Sequence, residues 1–396
     1  GLYPDQTLIH QNAVYIRAHT PKVVTMSEHF RKNGYFATRI GKIYHYNVPK
    51  HIGTSGHDDP YSWDYTINPR GRDVEEESLI FSLRPGTFGA TLSWLAADGT
   101  DEEQTDGMIA DAAADELRRY KKEERPFFLA VGLFRPHTPF VAPKKYFDLY
   151  PIEDIVVPSV PEGYDKTIPV DALKSIRRKK DQIDLEEGLA RQAIQAYYAS
   201  ISFADAQVGK ILDALKETGL DENTVVTFTS DHGYHMGEHG HWQKTTLFDN
   251  ATRVPMIIAA PQQKMRGEST NVPTEMVDFY PTLSELCGLE QPKHLSGRSL
   301  VSILNDIKAK PSLRDSALSQ YGNGYSIKTE RYRYTWWGDG GVAGDELYDH
   351  ETDPEELDNR ADDPELAEIR TQLRTEIAQR ILNASEAPTG VKQVRD

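Results

Sequence analysis

Cysteine is almost missing from this sequence, since Cys287 is the only one among 396 residues. A disulfide framework within the chain is therefore excluded. Cys287 lies between Leu286 and Gly288, at the end of an apolar helical pattern. That position favours a small buried residue over a reactive thiol.

Long apolar runs and an excess of basic residues are missing as well. No stretch reaches the roughly 18 apolar residues that a membrane span needs. The 45 lysines and arginines are outnumbered by 61 acidic residues, which gives a formal net charge of -16. The sequence therefore predicts no nucleic-acid partner and no membrane partner. Because the field of such a chain repels anions, a pocket for an anionic substrate would need its own local cations.

Short apolar runs alternate with helical patterns through most of the chain. The runs cover residues 35–40, 127–133, 225–229 and 254–260, and helical patterns at 23–32, 108–120 and 191–215 precede the first three. Such alternation predicts an α/β fold with a mostly parallel sheet between helices. Two segments rich in turn-forming residues, 46–107 and 143–186, are predicted to be long ordered loops that wall a pocket.

The pattern changes near residue 311. Beyond it, the segments around Tyr325, Arg331 and Glu346 alternate polar with apolar residues, which predicts antiparallel strands, and residues 365–383 are predicted to form a terminal helix. A chain of this length suits one large domain and a smaller one. We therefore predict a catalytic α/β domain at residues 1–308 and a C-terminal α+β subdomain at residues 309–396.

Unusual polar clusters follow three of the predicted strands. In an open α/β sheet, ligands bind beyond the carboxyl ends of the strands, so these clusters are expected to converge on one rim. The clusters are Gly41-Lys42-Ile43-Tyr44-His45, Phe134-Arg135-Pro136-His137-Thr138-Pro139, Ser230-Asp231-His232-Gly233 and Gly237-Glu238-His239-Gly240-His241-Trp242-Gln243-Lys244.

Two of these clusters have a functional and a purely structural interpretation. The adjacent Asp231 and His232 can bind one divalent cation, or Asp231 can cap a helix with a surface histidine beside it. Lys42 and His45 can share one face of a helical turn, or they can be a solvated lysine and a buried, hydrogen-bonded histidine. The residues alone leave these alternatives open.

The other candidates are equally open. His137 lies between Pro136 and Pro139, so its rigid loop suits an anion-binding histidine or a structural turn. Lys244 taken alone would be a surface lysine. The run of His232, His235, His239 and His241 suggests zinc, but Gly237 interrupts the spacing of a helical His-Glu-x-x-His site, so zinc ranks second.

Taken together, the clusters resemble the type I, formylglycine-dependent sulfatases of the alkaline phosphatase superfamily. The gap of two residues between Lys42 and His45 points to the iduronate-2-sulfatase-like branch. The resemblance spans nearly the whole chain and implies an alkaline-phosphatase-like fold. Further segments carry it in the same order, namely 127–132, 197–209, Thr229-Ser-Asp231-His232-Gly-Tyr-His-Met-Gly237, 277–283 and 346–356.

The resemblance implies a metal site and a catalytic group. Asp231 and His232 match calcium-binding positions, with His232 where many relatives carry asparagine. Lys42 matches the lysine that touches the nucleophile and the sulfate, and His45 matches the histidine that orients the nucleophile.

The resemblance also implies a substrate-binding group. His137 and Lys244 match the pair that holds the sulfate and assists the leaving group. Arg135 falls where relatives often carry lysine and is a further candidate on the substrate side. His57, Trp63 and Trp336 are weaker candidates for contacts with a sugar.

Some residues that the resemblance implies are not in this sequence. Sulfatases of this type carry an early Asp-Asp metal pair and a Cys- or Ser-x-Pro-x-Arg segment whose first residue becomes formylglycine. Gly1-Leu2-Tyr3-Pro4 resembles the continuation of that segment. We therefore expect the nucleophile and the remaining calcium ligands upstream of Gly1, on a missing N-terminal piece of the same domain.

The implied function is calcium-assisted hydrolysis of a sulfate ester by formylglycine. The expected substrate is a sulfated uronic acid or related sugar of a polysaccharide, and the implied location is secreted or periplasmic. The alternatives are a phosphodiesterase or phosphonate monoester hydrolase of the same superfamily, and a non-catalytic carbohydrate-binding relative.

Overall fold

The computed structural model of the protein describes residues 1–307 and 314–395, so the predicted boundary between residues 308 and 309 lies outside the described residues. The strands are β1 Phe36–Gly41, β2 Tyr65–Ile67, β3 Phe81–Ser82, β4 Ser93–Ala97, β5 Phe127–Gly132, β6 Phe140–Pro143, β7 Val226–Thr229, β8 Met256–Ala259, β9 Ala317–Tyr321, β10 Gly324–Lys328, β11 Tyr332–Trp337 and β12 Asp345–Asp349. The α-helices are α1 Pro4–Thr7, α2 Met26–Lys32, α3 Arg72–Glu75, α4 Thr105–Glu123, α5 Lys144–Phe147, α6 Val170–Ile176, α7 Glu187–Glu217, α8 Asp249–Thr252, α9 Phe279–Leu286, α10 Val301–Asn305 and α11 Ala367–Ser385.

The four predicted strands and the predicted long helices are present, with shifted ends. The helix expected at 23–32 begins only at Met26, because the Thr25 hydroxyl caps it by accepting the N–H of Glu28. The helix expected at 191–215 begins earlier, at Glu187, because the Glu186 carboxylate accepts the N–H groups of Gly188 and Leu189. Side-chain caps of this kind decide helix ends, whereas apolar periodicity locates only the middle.

The sheet under the polar clusters is parallel, as predicted. Strand β1 pairs in parallel with β2 on one side and with β5 on the other, and Gly41 lies opposite Gly132 at the end of the β1–β5 ladder. Helices α4 and α7 cover the sheet with apolar side chains. Parallel strands carry their carboxyl ends to the same edge, so the segments after β1 and β5 emerge side by side.

The strand predicted at 254–260 differs from the others, because β8 pairs with β7 in the antiparallel direction. The sequence carries no helical pattern between these two strands that would bring β8 back in parallel. Val226 of β7 packs on the same α4–α7 cluster as Phe127 and Leu129 of β5. Among the described residues, however, β5 and β7 each form ladder hydrogen bonds on one side only. Their other edges both face one large cavity.

A second small sheet was not predicted, since it lies within the two segments expected to be loops or next to them. Strand β4 pairs in parallel with β6 and antiparallel with the two-residue β3. The core beneath it joins Trp94, Phe140 and Ala196, the last from α7. Short strands of two to five residues leave little periodicity in the sequence, and they form here because α7 covers their apolar face.

The C-terminal antiparallel sheet and helix are confirmed. The strand order is β12-β11-β10-β9, and every neighbouring pair is antiparallel. Helix α11 covers one face, where Leu373 and Ile377 pack against Ile327 and Tyr334. None of the helices in residues 1–307 and 314–395 combines the length and the apolar character needed to cross a membrane.

Two facing glycines allow β1 and β5 to approach closely where the polar segments begin. A Cβ atom built on Gly132 would lie 1.7 Å from the carbonyl oxygen of Lys42, and one on Gly41 would lie 2.2 Å from the carbonyl oxygen of Gly132. Gly41 also has a φ of +72°, which side chains rarely allow. The N–H of Lys42 donates to the Gly132 carbonyl over 2.8 Å, so this contact fixes where the Lys42 side chain starts.

Replacing Gly132 should therefore destabilise the protein. We expect Gly132→Ala to lower the free energy of unfolding by about 1–3 kcal/mol, because the new methyl group collides with backbone atoms that cannot turn away. The measurement is urea-induced unfolding followed by circular dichroism. Gly209→Ala in α7 is the control, because nothing lies within 4 Å of the added Cβ. A Gly132→Ala protein as stable as the control would contradict the close approach.

Candidate active site

All predicted site residues line the same cavity, which has a volume of about 5270 Å³ and runs along the open edges of β5 and β7. The segments after β1, β5 and β7 reach it from the carboxyl ends of their strands. Lys244 reaches the cavity on the longer loop that follows β7. The seven residues that meet here are Lys42, His45, Arg135, His137, Asp231, His232 and Lys244.

Two lysines and one carboxylate form the electrostatic centre of the cavity. Burial lowers the pKa of the Lys42 ammonium, and the carboxylates of Asp231 and Asp106 oppose that shift. Burial also lowers the pKa of Lys244 to about 8, against the raising effect of Asp231 and with the help of the Lys42 charge. Both ammonium groups therefore lie in a partly dehydrated space and interact with Asp231, and the Lys42 charge also acts on Lys244.

Lys244 is held by a loop that folds back on itself. Both the N–H and the Nδ1 of His235 contact the carbonyl oxygen of Gln243, at 2.9 and 3.0 Å. His235 is completely buried, with an exposed fraction of 0%. The residue before Lys244 is thus anchored in the core, and the lysine projects into the cavity from a fixed point.

His137 lies on a loop that two buried aspartates hold in place. The Asp106 carboxylate accepts the N–H groups of Phe134 and Arg135, both at 2.8 Å. Burial raises the pKa of Asp106 to about 6, against the nearby Arg135 charge and these two hydrogen bonds. The Arg135 guanidinium donates to Asp73 over 2.7 Å and to the Val141 carbonyl over 2.9 Å. The loop is therefore clamped from both sides before it reaches His137.

His137 is a neutral imidazole at ordinary pH. Its Nδ1 lies 2.6 Å from the carbonyl oxygen of Thr138, so Nδ1 carries the proton and Nε2 has a free lone pair. Burial and the charges of Lys42 and Lys244 hold its pKa well below the usual range for histidine. An anion bound between the two lysines would partly cancel their charge and so favour protonation of His137.

His45 stands nearer the mouth of the cavity. Its Nε2 lies 3.3 Å from the Asn47 side-chain oxygen, and its ring lies 5.9 Å from the ring of His57. Burial lowers its pKa, the hydrogen bond that Nε2 donates to the Asn47 oxygen opposes this, and the charges of Lys42 and Lys244 lower the pKa further. The charges of both lysines therefore act on the His45 ring, which lines the same cavity.

Asp231 and His232 are arranged to hold a cation. The Asp231 side chain is 72% exposed to the cavity, and no described residue donates a hydrogen bond to it. The Nδ1 of His232 contacts the Gly233 carbonyl at 2.7 Å, which leaves Nε2 free, 3.4 Å from an Asp231 oxygen. Burial and Lys244 lower the pKa of His232, so the imidazole is neutral, as a metal ligand must be.

These two residues fit part of a calcium site. A carboxylate oxygen is the ligand type that calcium prefers, whereas an imidazole nitrogen suits transition metals better, so Asp231 is the stronger and His232 the weaker of the two candidate ligands. Calcium takes roughly six to eight ligand atoms, so Asp231 and His232 are only a fraction of the set.

The zinc interpretation of the histidine run is not supported by the geometry. His235, His239 and His241 lie together in the core, with ring centres 5.0 and 5.6 Å from His235. Among the described residues, however, only a different trio, Asp249, His350 and Glu356, brings its ligand atoms within 4.8 Å of one another. The buried guanidinium of Arg333 already binds Asp249 over 2.6 Å and also binds Glu356, so ion pairs account for that trio.

Arg135 and the two candidate tryptophans are buried, so they are not placed for contact with a substrate. The Arg135 guanidinium is buried and fully engaged with Asp73 and backbone carbonyls, so the geometry favours a positioning role for the His137 loop over direct contact with substrate. Trp336 belongs to the core of the C-terminal sheet and Trp63 is 6% exposed, so both are packing residues and neither is placed to stack on a sugar. Only His57 remains accessible, stacked on Tyr15.

Asp73 and Asp106 were missed by sequence reasoning. Both stand in helix first turns, in α3 and α4, where aspartate is ordinary. A weak signal was available, because Asp106 lies on the apolar side of a helix with Ile109, Ala110 and Ala113. Only the fold shows that both carboxylates reach the loop after β5.

Comparisons with known proteins find sulfatases. Residues 1–289 match the family model described as sulfatase, and residues 237–383 match the model of the N-sulphoglucosamine sulphohydrolase C-terminal region. A sulfatase from Formosa agariphila is 33% identical over 368 residues, which cover 91% of this chain and 69% of that protein. Iduronate 2-sulfatase from Mus musculus is 31% identical over 414 residues, which cover 85% of this chain and 74% of that enzyme.

Solved structures share the fold at lower identity. A structure described as a complex with its substrate D-glucosamine-2-N,6-O-disulfate has a TM-score of 0.72 and 19% identity, covering 97% of this chain and 86% of the other. A phosphonate monoester hydrolase from Silicibacter pomeroyi has a TM-score of 0.77 and 20% identity, covering 96% and 84%. Both likenesses support the predicted fold class.

The position of Arg135 can be tested by removing its side chain. We expect Arg135→Ala to lower the free energy of unfolding by about 3–5 kcal/mol, because it leaves the Asp73 carboxylate buried without a partner. The control is Arg177→Ala, whose ion pair with Asp165 is largely exposed and should contribute about 1 kcal/mol or less. Urea-induced unfolding measures both. Full stability combined with a raised KM would instead make Arg135 a substrate-binding residue.

Proposed function

The chain belongs to the sulfatase family, and on this premise we propose that it removes sulfate from a sulfated sugar, with Lys42, His137 and Lys244 around the sulfate group. The observation that carries this proposal is the meeting of two ammonium groups and a neutral histidine in one partly dehydrated cavity. A sulfate monoester offers three equatorial oxygens to such a set. Preorganised charges of this kind stabilise the transition state because they need not reorient during the reaction.

Lys244 is the proposed proton donor to the leaving oxygen. Its pKa of about 8 keeps it protonated at neutral pH, yet close enough to that pH to give up a proton. The only ring proton of His137 is on Nδ1, which donates a hydrogen bond to the Thr138 carbonyl. Nε2 of His137 can therefore only accept a hydrogen bond until an anion binds. As the S–O bond to the sugar breaks, the electron pair goes to the ester oxygen, and the Lys244 proton converts that oxygen into the sugar hydroxyl.

Lys42 has a different part in the proposal. The Lys42 side chain begins at the fixed β1–β5 contact. No described side chain accepts a hydrogen bond from its ammonium group, so the charge of that group is available to the sulfate oxygens. His45, beside it, is placed to accept or orient a proton on the attacking group. Water completes the balance, so one sulfate ester and one water give one sugar alcohol and one hydrogen sulfate ion.

We propose that Asp231 and His232 contribute to a calcium site. Bound calcium would supply a double positive charge next to the sulfate oxygens. The exposed Asp231 carboxylate and the free Nε2 of His232 support this assignment. The Asp231 carboxylate would then bind the calcium ion directly and would also interact with the ammonium groups of the two lysines.

The catalytic nucleophile is proposed to be formylglycine, on a segment of polypeptide outside residues 1–396 that also carries further calcium ligands. A hydrated formylglycine supplies an oxygen nucleophile. The open edges of β5 and β7, which both face the cavity, give an extended segment two ladders to pair with. Peptide mass spectrometry of the active full-length protein tests this, since an active enzyme without formylglycine would contradict it.

The proposed substrates are sulfated sugars, as the names of two similar proteins suggest, and we propose that these sugars belong to a polysaccharide. A secreted or periplasmic location would fit such polymers and is part of the proposal. The competing activity is that of a phosphonate monoester hydrolase, favoured by the likeness to the Silicibacter pomeroyi enzyme, which extends to the fold alone.

The central prediction concerns the two lysines of the full-length enzyme. We expect Lys42→Ala and Lys244→Ala each to lower kcat/KM for a sugar sulfate by about 10²-fold or more, with unfolding free energy nearly unchanged. Wild-type activity should fall as pH rises through the Lys244 pKa of about 8, because its ammonium form is the one required. Lys144→Ala is the control, because that lysine is exposed and paired with Asp148.

Matched substrates separate the two activities. Sulfate, phosphate and phosphonate monoesters of the same alcohol are compared by kcat/KM. Faster turnover of the phosphonate or phosphate would overturn the assignment. No turnover of any ester by a protein that carries formylglycine would favour a carbohydrate-binding protein.

Asp231 is expected to control calcium binding. Removal of calcium with EGTA should abolish turnover, and added calcium should restore it and raise the melting temperature of the wild-type protein. Asp231→Asn keeps the side-chain shape but removes the charge, so we expect the calcium-dependent rise in melting temperature to shrink. Asp213→Asn, on the exposed side of α7 and outside the cavity lining, should leave it intact. An unchanged calcium response in Asp231→Asn would contradict the proposed ligand.

A further inference from the structure

The basic segment at residues 177–180, which follows α6, contains cations that have no acidic partner. Lys174 pairs with Asp171 at 2.7 Å, and Arg177 pairs with Asp165 at 3.0 Å. In the described part of the chain, no carboxylate comes within ion-pair distance of Arg178, Lys179 or Lys180. The lack of an acidic partner is therefore shared by all three, and their position relative to the cavity has to distinguish them.

Arg178 and Lys179, unlike their neighbours in the segment, face the active-site cavity. Both line it, whereas Arg177 and Lys180 do not. The Arg178 guanidinium donates to the hydroxyl of Tyr321, which also lines the cavity. That neutral contact steadies the guanidinium without cancelling its charge.

Lys179 is held in place by contacts to the chain around Ala90. Its ammonium donates to the Ala90 carbonyl over 2.9 Å. Two residues further on, the Asp181 carboxylate accepts the Thr91 hydroxyl, so the basic segment is attached at two adjacent points. A lysine with one neutral acceptor still has two N–H groups for a ligand.

The same contacts tie the basic segment to the sulfate pocket. The carbonyl oxygen of Gly89, next to Ala90, accepts the hydroxyl of Thr138, at 3.1 Å, and Thr138 adjoins His137. On the other side, the charge of Lys179 acts on the Lys244 ammonium and lowers its pKa, after the larger effects of burial, Asp231 and Lys42. Lys179 is therefore connected to the His137 loop through residues 89 and 90, and its charge reaches Lys244.

We propose that Arg178 and Lys179 form a second anion subsite, which binds a further anionic oxygen group of the same sugar substrate, either a carboxylate or a second sulfate. This inference rests on the proposed function and adds the substrate class, a sugar with two anionic groups. A guanidinium offers a planar pair of N–H donors that matches carboxylate or sulfate oxygens, and the neighbouring ammonium adds a point charge. The net negative field of the chain would otherwise repel such a doubly charged sugar.

The test compares three sulfated sugars on the full-length, formylglycine-containing enzyme. One carries a single sulfate and no other charge, one is a uronic acid 2-sulfate, and one is a glucosamine with two sulfates. We expect Lys179→Ala and Arg178→Ala each to raise KM about tenfold for a doubly charged sugar, with kcat within about twofold of wild type. KM for the singly charged sugar should not change.

Lys180→Ala is the matched control, because it removes the same charge from the adjacent residue, which does not line the cavity. A KM effect confined to the uronic acid identifies the ligand as a carboxylate, and one confined to the disulfated sugar identifies a sulfate. An equal effect on all three sugars, or none in either variant, would overturn the subsite.

A binding measurement separates failure of the subsite from failure of the proposed function. Calorimetric titration of the same sugars into wild-type, Lys179→Ala and Lys180→Ala proteins needs no turnover. Tighter binding of the doubly charged sugars that Lys179→Ala alone weakens would support the subsite even if no ester were hydrolysed. Turnover with no such difference in Kd would leave the sulfatase assignment standing and remove the subsite.

Discussion

The arrangement of the cavity depends on two largely buried lysines, Lys42 and Lys244, whose ammonium groups both interact with the Asp231 carboxylate. Burial lowers the pKa values of both lysines, the Lys42 charge lowers that of Lys244 further, and Asp231 limits both shifts. Such a pair is costly without an anion and is relieved when one binds. The cavity therefore carries a local concentration of positive charge, despite a net charge of -16 on the chain.

A rigid frame keeps this repulsion from pushing the groups apart. The close contact of Gly41 with Gly132 fixes the root of Lys42, and the buried His235 fixes the loop of Lys244. Asp106 and the Arg135–Asp73 pair clamp the loop that carries His137. Each frame element satisfies its own hydrogen bonds in the core, so the functional groups keep unpaired charges or lone pairs toward the cavity. Some polar residues of the site thus hold the loops in place, and the others present their charges or lone pairs to the cavity.

Much of the fold could be predicted because apolar runs and periodic helices are local features. The strands at 36–41, 127–132 and 226–229 and the long helices were found in this way, and so were the polar clusters after them. The small β3–β4–β6 sheet could not be found, because its short strands form only where α7 covers their apolar face. The direction of β8 was missed although the sequence between β7 and β8 carries no helical pattern for a parallel crossover. Helix ends at Met26 and Glu187 depended on single capping side chains.

The sequence by itself determined the chemistry that is available: one carboxylate-histidine pair, two further lysines and a histidine between prolines, each placed after a strand or within a glycine-rich loop. The tertiary structure alone decided which of these side chains keep their charge for a ligand. Arg135 and Lys179 are both cations in polar segments, yet Arg135 is buried against Asp73, whereas Lys179 faces the cavity with only a carbonyl as partner. A charge is available to a ligand only where the fold supplies no opposite charge, and that depends on residues distant in sequence.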